Sequence, residues 1–322
     1  MSNSHDEEAA LPLVQDRDGS HAIQGVAVFE SQPSRSGHES LVELGRQAKM
    51  RQVDAWLSLS VPGTLCLIFR TLHFASVIPP FRREFFERDP TLSYPDRSNE
   101  VPTYALFLLS CCFPLVVLVS LYTSPSLERS PSCKYLPPSE KWVAVAWHCT
   151  ALLWTVLITD CFKVFVGRLR PHFFAACNYK GYGDALRSGD PEKLSQYLNA
   201  TVPGRLGDIS DCLADAHDID EASYSFPSGH SSIAFCGMVT LALHMHRVLV
   251  RSSREQTTHS VLMLMRRHLV VLLGCVGPVV TAILVATSRT RDYHHHFADI
   301  VGGCLLGSTC ALVTFLYNFH AL

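Results

Sequence analysis

An all-α fold, a bundle of six transmembrane helices with a candidate catalytic site at the non-cytosolic membrane face, is what this sequence predicts. Three observations predict it. Charged residues make up 17% of the 322 positions and hydrophobic ones 48%, where a typical soluble domain carries about 25% charged residues. The shortage is concentrated: residues 101–127, 269–288 and 300–322 contain no Asp, Glu, Lys or Arg. Each run meets the ~20 residues that a helix needs to cross a ~30 Å hydrocarbon core. The polar residues able to do chemistry, finally, gather at three span ends that share one membrane face. These features exclude an ordinary soluble globule, a disordered chain and a disulfide-stapled mini-protein. A net charge of −2 with scattered basic residues also excludes a nucleic-acid binder.

Residues 1–54 are polar and read as a cytosolic tail, largely disordered as far as residue 37. Within it, residues 39–50 (ESLVELGRQAKM) fit an interfacial amphipathic turn or two. The acidic cluster Asp6, Glu7 and Glu8 reads as solvated chain, and no signal-peptide pattern opens the sequence. The first span is therefore expected to act as its own insertion signal. Residues 55–322 read as the six-span domain. Its spans are expected at 55–77, interrupted by Arg70, then 101–122, then 142–164, which carries Asp160 and Lys163. They continue at 231–249, 269–287 and 300–319. Internal Pro62, Pro114 and Pro278 are tolerated in membrane helices, where neighbours re-satisfy the backbone. Gly303 and Gly307 form a small-xxx-small pattern suited to close helix packing. Trp142 and Trp147 suit an interfacial span start.

Six crossings place both termini on one side. The short loops on that side carry eleven Lys and Arg, against six on the other, so the termini are expected in the cytosol. The 167–226 segment then faces the lumen or the exterior. The sequon Asn199-Ala-Thr201 lies in it and is usable only there. Cys177 and Cys212 share the same segment, and both a disulfide and two free thiols are open. The other cysteines fall mostly in or beside spans, without paired metal spacing.

Lys163, Arg168, Arg170 and Pro171 end the third span; Ser225, Pro227, Ser228, Gly229 and His230 open the fourth. Ser288, Arg289, His294, His295, His296 and Asp299 lie between the fifth and sixth. Three cations, Lys163, Arg170 and Arg289, repel one another unless an anion with several oxygens joins them, and a phosphate fits. Ser228 and Gly229 can offer a hydroxyl and open N–H groups at a helix N-terminus. His295 and Asp299 are four residues apart; on one helix the carboxylate would accept the Nδ1–H and leave Nε2 as nucleophile. His230 suits a general acid. The bland readings are headgroup anchors for the cations and interface roles for the histidines. A metal on the histidine run is disfavoured by the neighbouring cations, and Asp160 is read as pairing with Lys163 or as functional.

Taken together, these residues resemble the type 2 phosphatidic acid phosphatase superfamily, in particular its lipid phosphate phosphatases. The family pattern K-x6-R-P, P-S-G-H and S-R-x5-H-x3-D is filled by Lys163, Arg170, Pro171, Pro227, Ser228, Gly229, His230, Ser288, Arg289, His295 and Asp299. The pattern selects His295 from the three adjacent histidines. The run from Arg82 to Pro95 and the Thr159-Asp160 pair also resemble the eukaryotic branch. The resemblance covers about residues 55–320. It implies that Lys163, Arg170, Ser228, Gly229 and Arg289 bind the phosphoryl oxygens. It implies further that His295 forms a phosphohistidine, Asp299 orients it, and His230 protonates the leaving oxygen. No cofactor and no magnesium are implied. The implied substrate is phosphatidic acid, with lysophosphatidic acid, sphingoid phosphates and diacylglycerol pyrophosphate behind it. Competing readings are a lipid phosphotransferase, a polyprenyl-diphosphate phosphatase and a non-enzymatic lipid-binding scaffold. The organelle (endoplasmic reticulum, Golgi or plasma membrane) and a homo-oligomeric state are open at this level.

Overall fold

The structure, a computed structural model, describes residues 35–75, 77–123, 140–255 and 261–320. Most of the expected tail, its acidic cluster, and the loop cations Arg129 and Lys134 lie outside the described residues. The chain divides into a unit ending at Glu43 and a unit Leu44–Leu322. Every candidate site residue belongs to the second. Among the described residues the fold is helical, with two isolated bridges, Phe86–Leu206 and Tyr179–Cys212, and no strand.

Helix α1 runs unbroken over Arg35–Phe74, starting earlier than the span expected at 55–77. No proline lies between Arg35 and Pro62, so nothing in the sequence separates the amphipathic stretch from the span. Helix α2 spans Thr103–Tyr122 and contains a π turn over Leu108–Cys112. Pro114 has no N–H to offer the Ser110 carbonyl four residues back. That carbonyl packs where a Cβ on Gly237 would come within 2.1 Å of it. Helix α3 covers Glu140–Val166. It stops at Gly167, whose φ of 54° suits a helix-ending glycine and whose missing Cβ would sit 2.0 Å from the Phe81 carbonyl.

After α3 the chain folds into four short helices: α4 (Phe173–Ala176), α5 (Tyr182–Ser188), α6 (Pro191–Ala200) and α7 (Ala216–Ala222). Asp190 and Asp215 cap the last two through their side chains. The expected 167–226 loop is thus a folded cap with its own core, in which Phe85 meets Phe173, Phe174 and Tyr179 edge-on. Cys177 and Cys212 are disulfide-bonded within it. Glu87, 2% exposed, ties the first loop to this cap through Arg205, Lys180, the Tyr179 hydroxyl and the Val202 N–H. Burial pushes the Glu87 carboxyl up, but those donors outweigh it and hold it well below the usual carboxylate range.

The three remaining long helices are α8 (Gly229–Glu255), α9 (Val261–Arg291) and α10 (Phe297–His320). Among the described residues, five stretches are long and apolar enough to cross a membrane: Gly45–Phe74, Thr103–Tyr122, Glu140–Val166, His268–Arg291 and Phe297–Asn318. The fourth expected span, at 231–249, is not among them; it forms α8, which is as long as α3 but more polar. The reason is its position: α8 packs against α3, α9 and α10. Its buried Ser231, Ser232, Thr240 and His244 therefore face protein where the other helices face outward. Gly303 and Gly307 of α10 lie on its first turns, where added Cβ atoms would come within 2.6 Å of the Ser228 carbonyl and 2.1 Å of the Ser232 carbonyl. This close seat, allowed by the small-xxx-small pattern, brings the start of α8 to the start of α10.

Candidate active site

Three chain stretches meet over one cavity of about 510 Å³. The last turn of α3 supplies Lys163, and the chain beyond Gly167 supplies Arg170. The first turn of α8 supplies Gly229 and His230. The last turn of α9 supplies Arg289, and the short connection to α10 supplies His295. All six line the cavity. An added Cβ on Gly229 would lie 3.6 Å from the Lys163 Nζ, so the ammonium sits against the N-terminus of α8. No ion pair is made by Lys163 among the described residues.

Both arginines are buried and held from one side. Arg170, 5% exposed, donates from Nη2 to Glu221 at 2.6 Å and from Nη1 to the His294 Nδ1 at 3.0 Å. The His294 Nε2–H is donated to the Arg97 carbonyl, so this imidazole is neutral and its Nδ1 is the acceptor. Burial, with His172 and Arg170 beside it, pushes His294 down to about 3. Arg289, 2% exposed, donates from Nη1 to Asp292 and from Nη2 to Asn99. In each arginine the Nε–H is buried and has no partner among the described residues. A buried donor without an acceptor is costly.

His295 is 5% exposed and donates its Nδ1–H to the Ser225 carbonyl, 2.8 Å away. Its Nε2 therefore carries the free lone pair. Burial, followed by Arg170, Lys163 and Arg289, pushes its pKa well below the ordinary imidazole value. The expected Asp299–His295 hydrogen bond is not made. Helix α10 begins at Phe297, so His295 precedes the helix and helical spacing does not apply. Asp299, fully buried, accepts instead from the Ser225 hydroxyl at 2.5 Å, from Arg168 at 2.8 Å and from the His296 N–H at 2.9 Å. Ser225 thus touches both partners, one through its hydroxyl and the other through its carbonyl.

Ser228 is also fully buried and is not among the cavity-lining residues. Its hydroxyl accepts from Ser231, and its N–H is donated to the Asp299 carbonyl, so it caps α8 and pins it to α10. His230 donates its Nε2–H to the Val101 carbonyl. Asp160 pairs with Arg70 and not with Lys163. Asn199 lies exposed on α6. The three histidines diverge to different partners, His296 to the Leu169 carbonyl. Sequence reasoning missed Asn99, Glu221 and the carbonyl of Ser225. None stands at a spacing tied to its partner, whereas Arg168 lies inside the string that begins at Lys163.

A sequence profile of the PAP2 superfamily matches residues 144–321. Phospholipid phosphatase 2 of Homo sapiens is 30% identical over 263 residues, 79% of this chain and 80% of that protein. Lipid phosphate phosphatase 1 of Arabidopsis thaliana is 29% identical over 73% of this chain and 60% of its own length. Diacylglycerol pyrophosphate phosphatase 1 of Saccharomyces cerevisiae is 29% identical over 71% of this chain and 68% of its own. No solved structure matches the chain.

Proposed function

This chain belongs to the PAP2 superfamily, and on that premise we propose that it is an integral-membrane lipid phosphate phosphatase. It is a phosphoric monoester hydrolase that removes phosphate from phosphatidic acid and related lipid phosphates. The names of its relatives, lipid phosphate phosphatase and diacylglycerol pyrophosphate phosphatase, support that substrate class. The observation that carries the reading is the meeting of Lys163, Arg170, Arg289, His230 and His295 at one cavity.

In the proposed mechanism Lys163, Arg170, Arg289 and the N-terminus of α8 at Gly229 hold the non-bridging phosphoryl oxygens. They stabilise the charge of the transition state. The lone pair of the His295 Nε2 attacks phosphorus in line, the ester P–O bond breaks, and His230, protonated at Nδ1 beside the bound phosphate while its Nε2–H stays with the Val101 carbonyl, gives the Nδ1 proton to the departing alcohol oxygen. A water molecule then attacks the phosphohistidine, His230 takes a proton from it, and inorganic phosphate leaves with His295 restored. Asp299 acts through Ser225, keeping the carbonyl that orients His295 in place. The clustered cationic side chains do the work of a metal clamp, so the reaction is metal-independent.

Six spans, with α8 as the fourth, put both termini in the cytosol and the cavity at the non-cytosolic face. The 1–54 segment then forms the cytosolic tail and 55–322 the phosphatase domain. Phosphate release from phosphatidic acid in mixed micelles with excess chelator tests the reading. Wild type is expected to stay active, and His295→Ala to lose roughly three orders of magnitude or more in kcat. An active His295→Ala variant would remove the nucleophile, and chelator-sensitive wild type would remove metal independence.

A further inference from the structure

A lipid phosphate poses a problem for a cavity lined by buried cations. Its head must reach Lys163 while its tails stay apolar, because each methylene drawn into water is unfavourable. The cavity therefore needs a sideways opening to the bilayer, and the surface between α1 and α3 has the features of one. The two helices run in the same direction. They touch where Ala55 packs on Val143, Ala146 and Trp147, and again where the Cys66 thiol reaches the Leu153 carbonyl. Nearer the site, residues of both helices line an apolar groove of about 1320 Å³. Leu65, Ile68, Leu72 and Phe162 line it and are 37–49% exposed, with Leu72 at 37% and Ile68 at 49%.

The groove is continuous with the phosphate cavity. A chamber of about 810 Å³ shares Phe69, Pro79, Pro80, Arg82 and Val164 with the groove. It shares Arg70, Asp160, Lys163 and Glu221 with the phosphate cavity. Apolar surface thus passes into cationic surface along one path, matching the polarity order of a lipid phosphate from tail to head. At the junction Arg70 donates from Nε and Nη2 to one oxygen of Asp160, at 3.0 and 2.7 Å. The Arg70 side chain is 64% exposed, and the pair stands where the chamber and the phosphate cavity share their lining. The pair can part as an anionic head passes, with Arg70 exchanging a carboxylate for a phosphate.

We propose that an acyl chain of the lipid phosphate lies in the α1–α3 groove, and that its head enters sideways past the Arg70–Asp160 pair to reach Lys163. This rests on the lipid phosphatase reading above and assigns the tail a place. Chain length then becomes part of specificity: kcat/KM rises from short to long acyl chains until the groove is filled.

The test uses the full-length protein in mixed micelles with dihexanoyl, dioctanoyl and dioleoyl phosphatidic acid at equal surface fraction. Wild type is expected to show the rise. Leu72→Trp and Ile68→Trp, which fill the groove from exposed positions, are expected to flatten it. The ratio of dioleoyl to dihexanoyl kcat/KM should fall about tenfold, the worth of roughly two methylenes withdrawn from contact. Leu305→Trp, exposed on α10 away from the groove, should keep the wild-type ratio. An unchanged ratio in both groove variants overturns the proposal, and so does an equal loss at every chain length. A flat wild-type profile overturns it as well. Wild type releasing no phosphate from any of the three lipids would instead overturn the lipid phosphatase reading beneath it.

Discussion

The Nδ1–H of His295 is committed to the Ser225 carbonyl, which leaves Nε2 with its lone pair in a cavity already holding three cations. Protonating Nε2 would add a fourth positive charge in a buried place, so burial and those cations push the imidazole well below its ordinary value. The sign follows for activity. A falling pH removes this nucleophile only on passing the depressed value, so the acidic limb of kcat/KM that belongs to His295 lies below about pH 6.5. A pH profile on phosphatidic acid checks this, and a limb at or above the ordinary imidazole value would mean that His295 is not shielded. Stability carries the same sign. Between about pH 6.5 and the depressed value the unfolded chain binds the extra proton, so stability falls as the pH falls. At this scale Lys163, Arg170, Arg289 and His295 were legible because they stand at set spacings along the chain. The partner of His295 was not, because the four-residue spacing to Asp299 holds meaning only inside a helix, and the helix starts at Phe297.

Helices α8 and α10 meet through glycine, and the site depends on that meeting. The Asp299 carbonyl accepts the Ser228 N–H, so any shift of α10 also moves the start of α8. A side chain at Gly307 would drive into the Ser232 backbone. Gly307→Leu is expected to lower stability by about 1–3 kcal/mol and to remove phosphatase activity, read as thermal unfolding in detergent and as phosphate release. Gly277→Ala is the control: nothing lies within 4 Å of a Cβ there, so its activity and unfolding temperature should not fall. A stable, active Gly307→Leu would mean that the two helices need not lie so close. The small-xxx-small spacing announced this packing from sequence. The polarity of α8 was harder to read, since Ser231, Ser232, Thr240 and His244 are acceptable in a span only when other helices enclose it, and sequence does not say which helix is enclosed.

For the whole molecule, the cap beside the cavity offers a test of the proposed six-span topology. The cap carries Asn199, exposed on α6, in an Asn-Ala-Thr sequon. With the cap at the non-cytosolic face, the chain made in glycosylating cells should show an endoglycosidase-sensitive mass shift, lost in Asn199→Gln. In sealed microsomes the 167–226 segment should resist added protease, and its cleavage there would reverse the topology. Sequence by itself determined the membrane character, the number of long helices and the residues that recur at motif spacing. Each of these is a property of neighbours along the chain: hydropathy over about 20 residues, or fixed offsets within a dozen. Tertiary structure alone decided the contacts that make a site of them. Ser225 meets His295 across 70 residues, and Asn99 meets Arg289 across 190. The cap core, the Glu87 cluster and the groove between α1 and α3 arise in the same way. No local pattern encodes such pairs, because they form only when packed helices bring distant backbone and side-chain groups within hydrogen-bond reach.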